Sequence, residues 1–414
     1  MNLQYTTSNK RKIINDPVHG FITIPHDLIY DLIQHPYVQR LRRIKQLGMS
    51  HLVYPGANHT RFHHALGAMH LMTQAITVLK KKGVEITDDE KLAVRIAILL
   101  HDIGHGPFSH TLEHSLLKSV HHEEMSLVFM QALNQEFEGK LSLAIEIFTG
   151  KYHKNYLHEL VSSQLDMDRL DYLQRDSFFT GVSEGIIGSE RIITMLNVVD
   201  DRLVVEEKGI YSIENFISAR RIMYWQVYMH KTVVSSEYML IKILKRAKYL
   251  FHQGEDLFAS PFLKPFLKND YTVADFKSNA DLLNQFAMMD DSDVISAIKT
   301  WQYSEDKVLS MLCQNIVSRD LFRTEITKKP ADKERIQFIR KELINRLQLK
   351  EDEVSYFMDT EVLVNNAYDE KSKQILILSK TGELQDIAIA SDNLNISALS
   401  KPVKKFCLCY YNVK

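Results

Sequence analysis

The chain has 414 residues, 45% hydrophobic and 25% charged, with a formal net charge of -1; this is an ordinary soluble composition, with room for two or three domains of about 100–200 residues each. So balanced a charge gives no global attraction to nucleic acid or acidic membranes, and no apolar run reaches the ~18 uncharged residues of a membrane span, because Arg95 interrupts the strongest. An N-terminus without a secretory leader, and three sparse cysteines (Cys313, Cys407, Cys409) without zinc-finger spacing, point to a reducing compartment, the cytoplasm.

In chain order, residues 13–24, IINDPVHGFITI, read as a turn followed by a short alternating strand. Leu28 to Leu47 is helical in pattern, with Pro36 separating two short helices. The segment HLVYPGANHTRF, from His51, reads as a strand running into a polar loop, and His63 to Lys82 as a helix ending at Gly83. Leu92, Ile96 and Leu99, with Ala93 and Leu100 beside them, make one face of the next helix, which Gly104, Gly106 and Pro107 break. Helical spacing continues through His122–Phe137, Leu141–Phe148 and Leu157–Arg175. Arg202–Glu206 and Gly209–Tyr211 suggest a hairpin, and Ile213 to about His252 is the longest helical pattern, one helix or more. Residues 256–350 are mostly helical, whereas EVLVNNAY, KQILILSK and FCLCYYNV, past Glu361, are β-rich. The expected architecture is mainly α: a large helical domain over 1–255, a helical extension over 256–360 and a small α+β region, rich in strand, over 361–414.

Histidine is the compositional anomaly. Of 18 in the chain, 11 fall between His51 and His122, where a uniform scatter would put about three. They centre on HDIGHGPFSH, residues 101–110, which closes an apolar helix. An imidazole at a helix start in RFHHALG, the pair His101–Asp102 and a carboxylate in QLDMDRLDYLQRD make two nitrogens and two oxygens, a donor set for Mn, Fe, Zn or a similar divalent ion. Magnesium alone suits it less, since it prefers oxygen ligands, but fits beside a phosphorylated substrate.

The order H…HD…D, together with NDPVHGFI, QRLRRIKQLG, YPGANHTRFHHALG and HDIGHGPFSHTLEH, resembles the HD-domain phosphohydrolases. The chain most resembles the deoxynucleoside triphosphate triphosphohydrolases of the type joined in animals to a sterile alpha motif, a domain without a counterpart in this sequence. The resemblance is dense over 13–125 and 160–180 and patchy over 211–250 and 315–325. It implies an HD-type helical fold, with His64, His101, Asp102 and Asp168 as metal ligands. His63 differs from His64 by about 100° around the helix, so only one can point inward, and the family pattern matches His64.

Departure of an alkoxide needs a proton, and His110 with Glu113, at i and i+3, is a general acid with an orienting partner. The family has Asp at the Glu113 position, so the reach differs by one methylene. The resemblance implies that Arg61, His105 and His122 hold the triphosphate, and that Gln46 and Leu47 touch the sugar 3′-hydroxyl and crowd its 2′-carbon. Tyr172 and Asp176, at i+4 and i+8 from Asp168, share its face, whereas Asp171 and Arg175 point elsewhere and read as an ion pair. Arg220, Tyr224, Tyr228 and Lys231 form one helical stripe of cations and phenols, suited to phosphates and a sugar; the family usually has His where Tyr224 stands.

The resemblance further implies a homo-oligomer, dimer or tetramer, assembled by a regulatory nucleotide near Asn15, Gln39, Arg42, Arg319 and Arg323. Two other readings stay open: an HD phosphohydrolase acting on nucleoside monophosphates or an alarmone, and a non-catalytic sensor of nucleotides or single-stranded nucleic acid. The acidic residue that reads guanine in the animal enzymes aligns with Gln34, which lacks the carboxylate acceptor. Activation is therefore expected to favour another base or to be absent. A titration of activity with separate nucleotides checks this, and strict dependence on a guanine nucleotide would contradict it.

Overall fold

The structure, a computed structural model, describes residues 12–117, 120–369, 374–393, 399 and 401–412, with every side chain among them except that of His110. Nineteen helices and nine short strands are seen among the described residues, so the fold is mainly α, as the periodicity predicts. One apolar core runs through the helices, and no helix among the described residues is long and apolar enough to cross a membrane.

Local chemistry explains the elements that carry the histidines. The Arg61–Lys81 helix starts on a capping box between Thr60 and His63 and ends before Gly83, whose φ of +89° suits a residue without a side chain. The Asp88–Leu100 helix starts on a second capping box, Thr87 with Glu90, and buries Val94 and Ile96 to Leu100. Its end delivers His101 and Asp102 into the glycine-rich turn. The Met167–Thr180 helix, capped by Asp166 and closed by left-handed Gly181, lies against the Arg61–Lys81 helix. Pro36 opens a second short helix, Pro36–Gln39, after the first, Asp27–Gln34.

Three expectations are corrected. Residues 13–24 form two strands, β1 (Ile13–Asp16) and β2 (Gly20–Thr23), paired antiparallel around the Asp16–Gly20 turn. HLVYPGANHTRF holds no strand: Gly48–Leu52 is a 3₁₀ turn, and Lys45 bridges Thr60 in isolation. The hairpin partner of β4 (Arg202–Glu206) is β3 (Leu196–Val199), because the chain turns at Asp200 and Asp201 with positive φ, while Gly209 opens a helix. The long pattern resolves into helices Ile210–Met223 and Lys231–His252, joined by a π-turn over Tyr224–Tyr228.

The later strands interleave with earlier ones. β5 (Arg323–Thr327), β6 (Met358–Asn365) and β9 (Val403–Tyr410) make a sheet in the order β5-β9-β6. β7 (Leu376–Leu378) pairs in parallel with β4, and β8 (Leu384–Asp386) lies beyond it, so tail and helical body share a sheet.

Two glycines let the site elements approach. A Cβ on Gly104 would stand 2.2 Å from both the His122 carbonyl oxygen and the Ser126 nitrogen. One on Gly67 would stand 2.0 Å from Asp171 Oδ1. Gly104→Ala meets backbone that cannot step aside, so it should lower stability by about 1–3 kcal/mol or more. Denaturant unfolding measures this, and an unchanged midpoint would show that the turn can give way.

Candidate active site

Three helices bring the expected ligand set together. His64 Nε2 lies 3.1 Å from Asp168 Oδ1 and 3.3 Å from His101 Nε2, and His101 Nε2 lies 3.4 Å from Asp168 Oδ1. Asp102 borders the set, 3.5 Å from His101 and 3.8 Å from His64. Metal–ligand bonds of about 2.0–2.2 Å set neighbouring donors roughly 3.0–3.5 Å apart, so the spacing fits one divalent ion.

The hydrogen bonds behind the rings fit it as well. His64 Nδ1 donates to the buried Asp171 carboxylate at 2.8 Å, and His101 Nδ1 donates to the Ile98 carbonyl at 2.6 Å. In the neutral rings both Nε2 atoms are then acceptors, and two lone pairs and a carboxylate converge on one point. Such a point attracts a cation. Burial works against a charged His64, yet the Asp168 and Asp171 carboxylates outweigh it and push its pKa up to about 10. Burial likewise opposes ionisation of Asp168, but its hydrogen bonds from His101 and His64 hold it below the usual carboxylate range.

A second imidazole group abuts the first. His105 Nε2 lies 3.2 Å from Asp102 Oδ1, and its ring stacks on that of His122 with centroids 3.9 Å apart. His122 Nδ1 donates to Glu113 Oε1 at 2.9 Å, so His105, Glu113 and His122 form another cluster able to hold a cation. Glu113 therefore touches His122, a contact that the i, i+3 spacing did not indicate; the side chain of His110, the expected general acid, lies outside the described residues. Arg61, at the helix start, donates to Asp102 Oδ2 at 2.6 Å. Burial, then the charge of Arg61, pushes His105 well below the ordinary histidine range, which leaves that ring neutral.

On the other side lies an aromatic wall. Tyr172 faces His64 with ring centroids 6.5 Å apart and Tyr228 at 6.2 Å, and Tyr228 packs on Tyr224 at 5.2 Å. Tyr228 donates to Asp176 Oδ2 at 2.8 Å, while His59 Nε2 donates to Oδ1 at 2.7 Å. Arg220 is buried beside the Tyr224 ring. Lys231 breaks the expected stripe: the π-turn shifts the phase, His230 is extended, and Lys231 opens the next helix exposed. Gln46 and Leu47 sit half-buried, Leu47 against the core and Gln46 with its backbone nitrogen on the His59 carbonyl. Gln46 Oε1 and the Nε atoms of Arg61, Arg169 and Arg220 are buried without a hydrogen-bond partner. Unpaired buried polar atoms are costly, and a polar ligand would satisfy them.

Of the expected regulatory positions, three lie in the amino-terminal part and two at and just before β5. Asn15 is exposed on β1, and Gln39 accepts from Arg42, whose guanidinium lies 3.7 Å from the Phe62 ring centre. Arg319 donates to the Leu52 carbonyl at 2.9 Å, and Arg323 opens β5, 3.5 Å from Glu325.

Comparison with known proteins places this geometry. An HD-domain model matches residues 61–176, and an HD-associated-region model matches 187–255. The solved structure of a phosphohydrolase from Bacteroides thetaiotaomicron is 55% identical with a TM-score of 0.94, over 97% of this chain and 100% of that one. The uncharacterised Bacillus subtilis protein YwfO is 36% identical over 76% of this chain and 72% of its own length. The chain belongs to the HD-domain phosphohydrolases. A SAMHD1 homolog from Dictyostelium discoideum, a deoxynucleoside triphosphate triphosphohydrolase, is 34% identical over 61% of this chain, and the match spans 52% of that protein.

Sequence reasoning missed several residues of this phosphohydrolase site. Asp171 and Arg175 do pair, at 2.9 Å, but Asp171 also fixes His64. Ser126 Oγ ties the turn to its helix, accepting from Gly104 and donating to the His101 carbonyl. His59 was visible only as one more histidine of the cluster. Asp171→Asn should weaken divalent-metal binding about 10–100-fold by loosening His64. Competition with a chelator measures this, and unchanged affinity would cut the link between the two residues.

Proposed function

We propose that this HD phosphohydrolase cleaves deoxynucleoside triphosphates to the deoxynucleoside and inorganic triphosphate. The observation that carries the reading is the contact between the two groups: His105, stacked on His122, reaches the Asp102 carboxylate beside His64, His101 and Asp168. The named activity of the Dictyostelium relative supports it.

In this reading His64, His101, Asp102 and Asp168 hold a divalent ion, Mn, Fe or Zn, with magnesium accompanying the substrate. When bound, the ion supplies an acidified water and neutralises phosphoryl charge. Arg61, His105 and His122 hold the triphosphate, Arg61 exchanging Asp102 for phosphate oxygens. Gln46, Leu47, Tyr172, Asp176, Arg220, Tyr224 and Tyr228 wall the nucleoside, with Lys231 at the rim. Water attacks the α-phosphorus, the P–O5′ bond breaks, and His110, oriented by Glu113, gives its proton to the departing oxygen. A cytoplasmic homo-oligomer, with regulatory nucleotides at Asn15, Gln39, Arg42, Arg319 and Arg323, completes the proposal, as does the division at residues 255 and 360.

Product analysis on the four deoxynucleotides tests it: intact triphosphate should appear in step with nucleoside. Release of monophosphate or pyrophosphate, or turnover of nucleoside monophosphates only, would refute it. His101→Ala and Asp102→Ala should lose bound metal and turnover together, and full activity without the ion would overturn the ligand assignment.

A further inference from the structure

The amino-terminal hairpin lies outside the matched HD segment, 61–176, yet reaches the base of the site. Asp16 Oδ1 accepts the backbone N–H groups of Val18 and His19, at 3.0 and 2.9 Å, which folds the turn, and Gly20 at φ +73° reverses the chain. That turn aims His19 inward, its side chain 6% exposed, and Nε2 donates to Asp171 Oδ1 at 2.6 Å. Asp16 Oδ2 accepts from Arg175 Nη1 at 2.8 Å, and Arg175 clasps both oxygens of Asp171 at 2.9 Å. Asp171 thus receives four N–H groups, from His64, His19 and twice from Arg175, and a carboxylate has about four acceptor positions.

We infer that His19 is a positioning residue of the metal centre: its N–H fixes the plane of the Asp171 carboxylate, which in turn holds His64 with Nε2 toward the ion. The inference rests on the metal-ligand reading given above and adds a hairpin residue to it. Arg175 alone leaves Asp171 free to rock about the guanidinium fork. The ring of His19, bonded to Oδ1 while His64 bonds to Oδ2, removes that freedom, and Asp16 locks both partners from one turn.

The test uses the full chain with His19→Ala, His19→Phe, which fills the space without a donor, and His19→Gln, whose amide N–H reaches as Nε2 does. Cobalt(II) is titrated into each stripped protein, read by its visible ligand-field absorption and by chelator competition, with thermal unfolding as a check on folding. The expected result is about tenfold weaker cobalt binding and an altered spectrum in the Ala and Phe variants, and near wild-type behaviour in the Gln variant. If His19→Ala fails to fold, the Phe–Gln contrast decides. Wild-type affinity and spectrum in the donor-free variants, or a Gln variant as weak as Phe, would overturn the inference. A wild-type protein that takes up no cobalt would instead overturn the metal-ligand reading beneath it.

Discussion

The hydrogen bond from His64 to Asp171 is the constraint on which the rest of the site depends, because it decides what the other face of the ring offers. Asp171 has no exposed surface, and burying a carboxylate is costly unless its oxygens are filled. Burial acts to raise its pKa, but the Arg175 charge and the His19, His64 and Arg175 hydrogen bonds hold it well below the carboxylate range. An ionised Asp171 can only accept, so His64 must donate through Nδ1, and Nε2 is the atom that faces Asp168 and His101 and can hold an ion once it gives up its proton. The close helix packing that makes this bond possible needs Gly67, since any side chain there would occupy the carboxylate's place.

Charge follows from the same geometry. Asp102, Asp168 and Asp171 crowd around two imidazoles, and the described cations among them are committed in pairs: Arg175 to Asp171, Arg169 to Asp166, and Arg61 to Asp102. Of these pairs, the Arg61 pair is the one whose carboxylate also borders His64, His101 and His105. On the proposed function, a divalent ion at the centre would compete with Arg61 for Asp102. The pair sets the buried Arg61 guanidinium against the half-buried Asp102 carboxylate, with Arg61 Nε left without a partner.

Much of this was legible in the sequence because the signal was local. Helical spacing, Pro36, Gly83 and the glycine-rich break after Leu100 located the helices, and the run of histidines pointed to the chemistry. What escaped was set by tertiary contact. The role of His19 depends on a carboxylate 152 positions away, and nothing in DPVHG announces it. Asp171 read as an ion-pair partner because its i+4 neighbour is an arginine, which is true but incomplete. The β3–β4 hairpin was paired with the wrong segment because Gly209 breaks a strand and opens a helix equally well.

The misjudged stripe shows how a small backbone change alters a site. In a regular α-helix Arg220, Tyr224, Tyr228 and Lys231 would face one way. Over Tyr224–Tyr228 the hydrogen bonds widen, with the Met229 nitrogen bonding back to the Tyr224 carbonyl at 2.7 Å, and each residue advances through a smaller angle. Tyr228 thereby comes to the Asp176 carboxylate, which His59 grips from the other side. Lys231 begins the next helix, exposed, after extended His230, whose ring caps that helix through the Thr232 nitrogen. The widened turn thus leaves a phenol anchored on the helix that carries Asp168. The metal-capable set and the aromatic wall are in this way tied to the same Met167–Thr180 helix, so a shift of that helix would move both together.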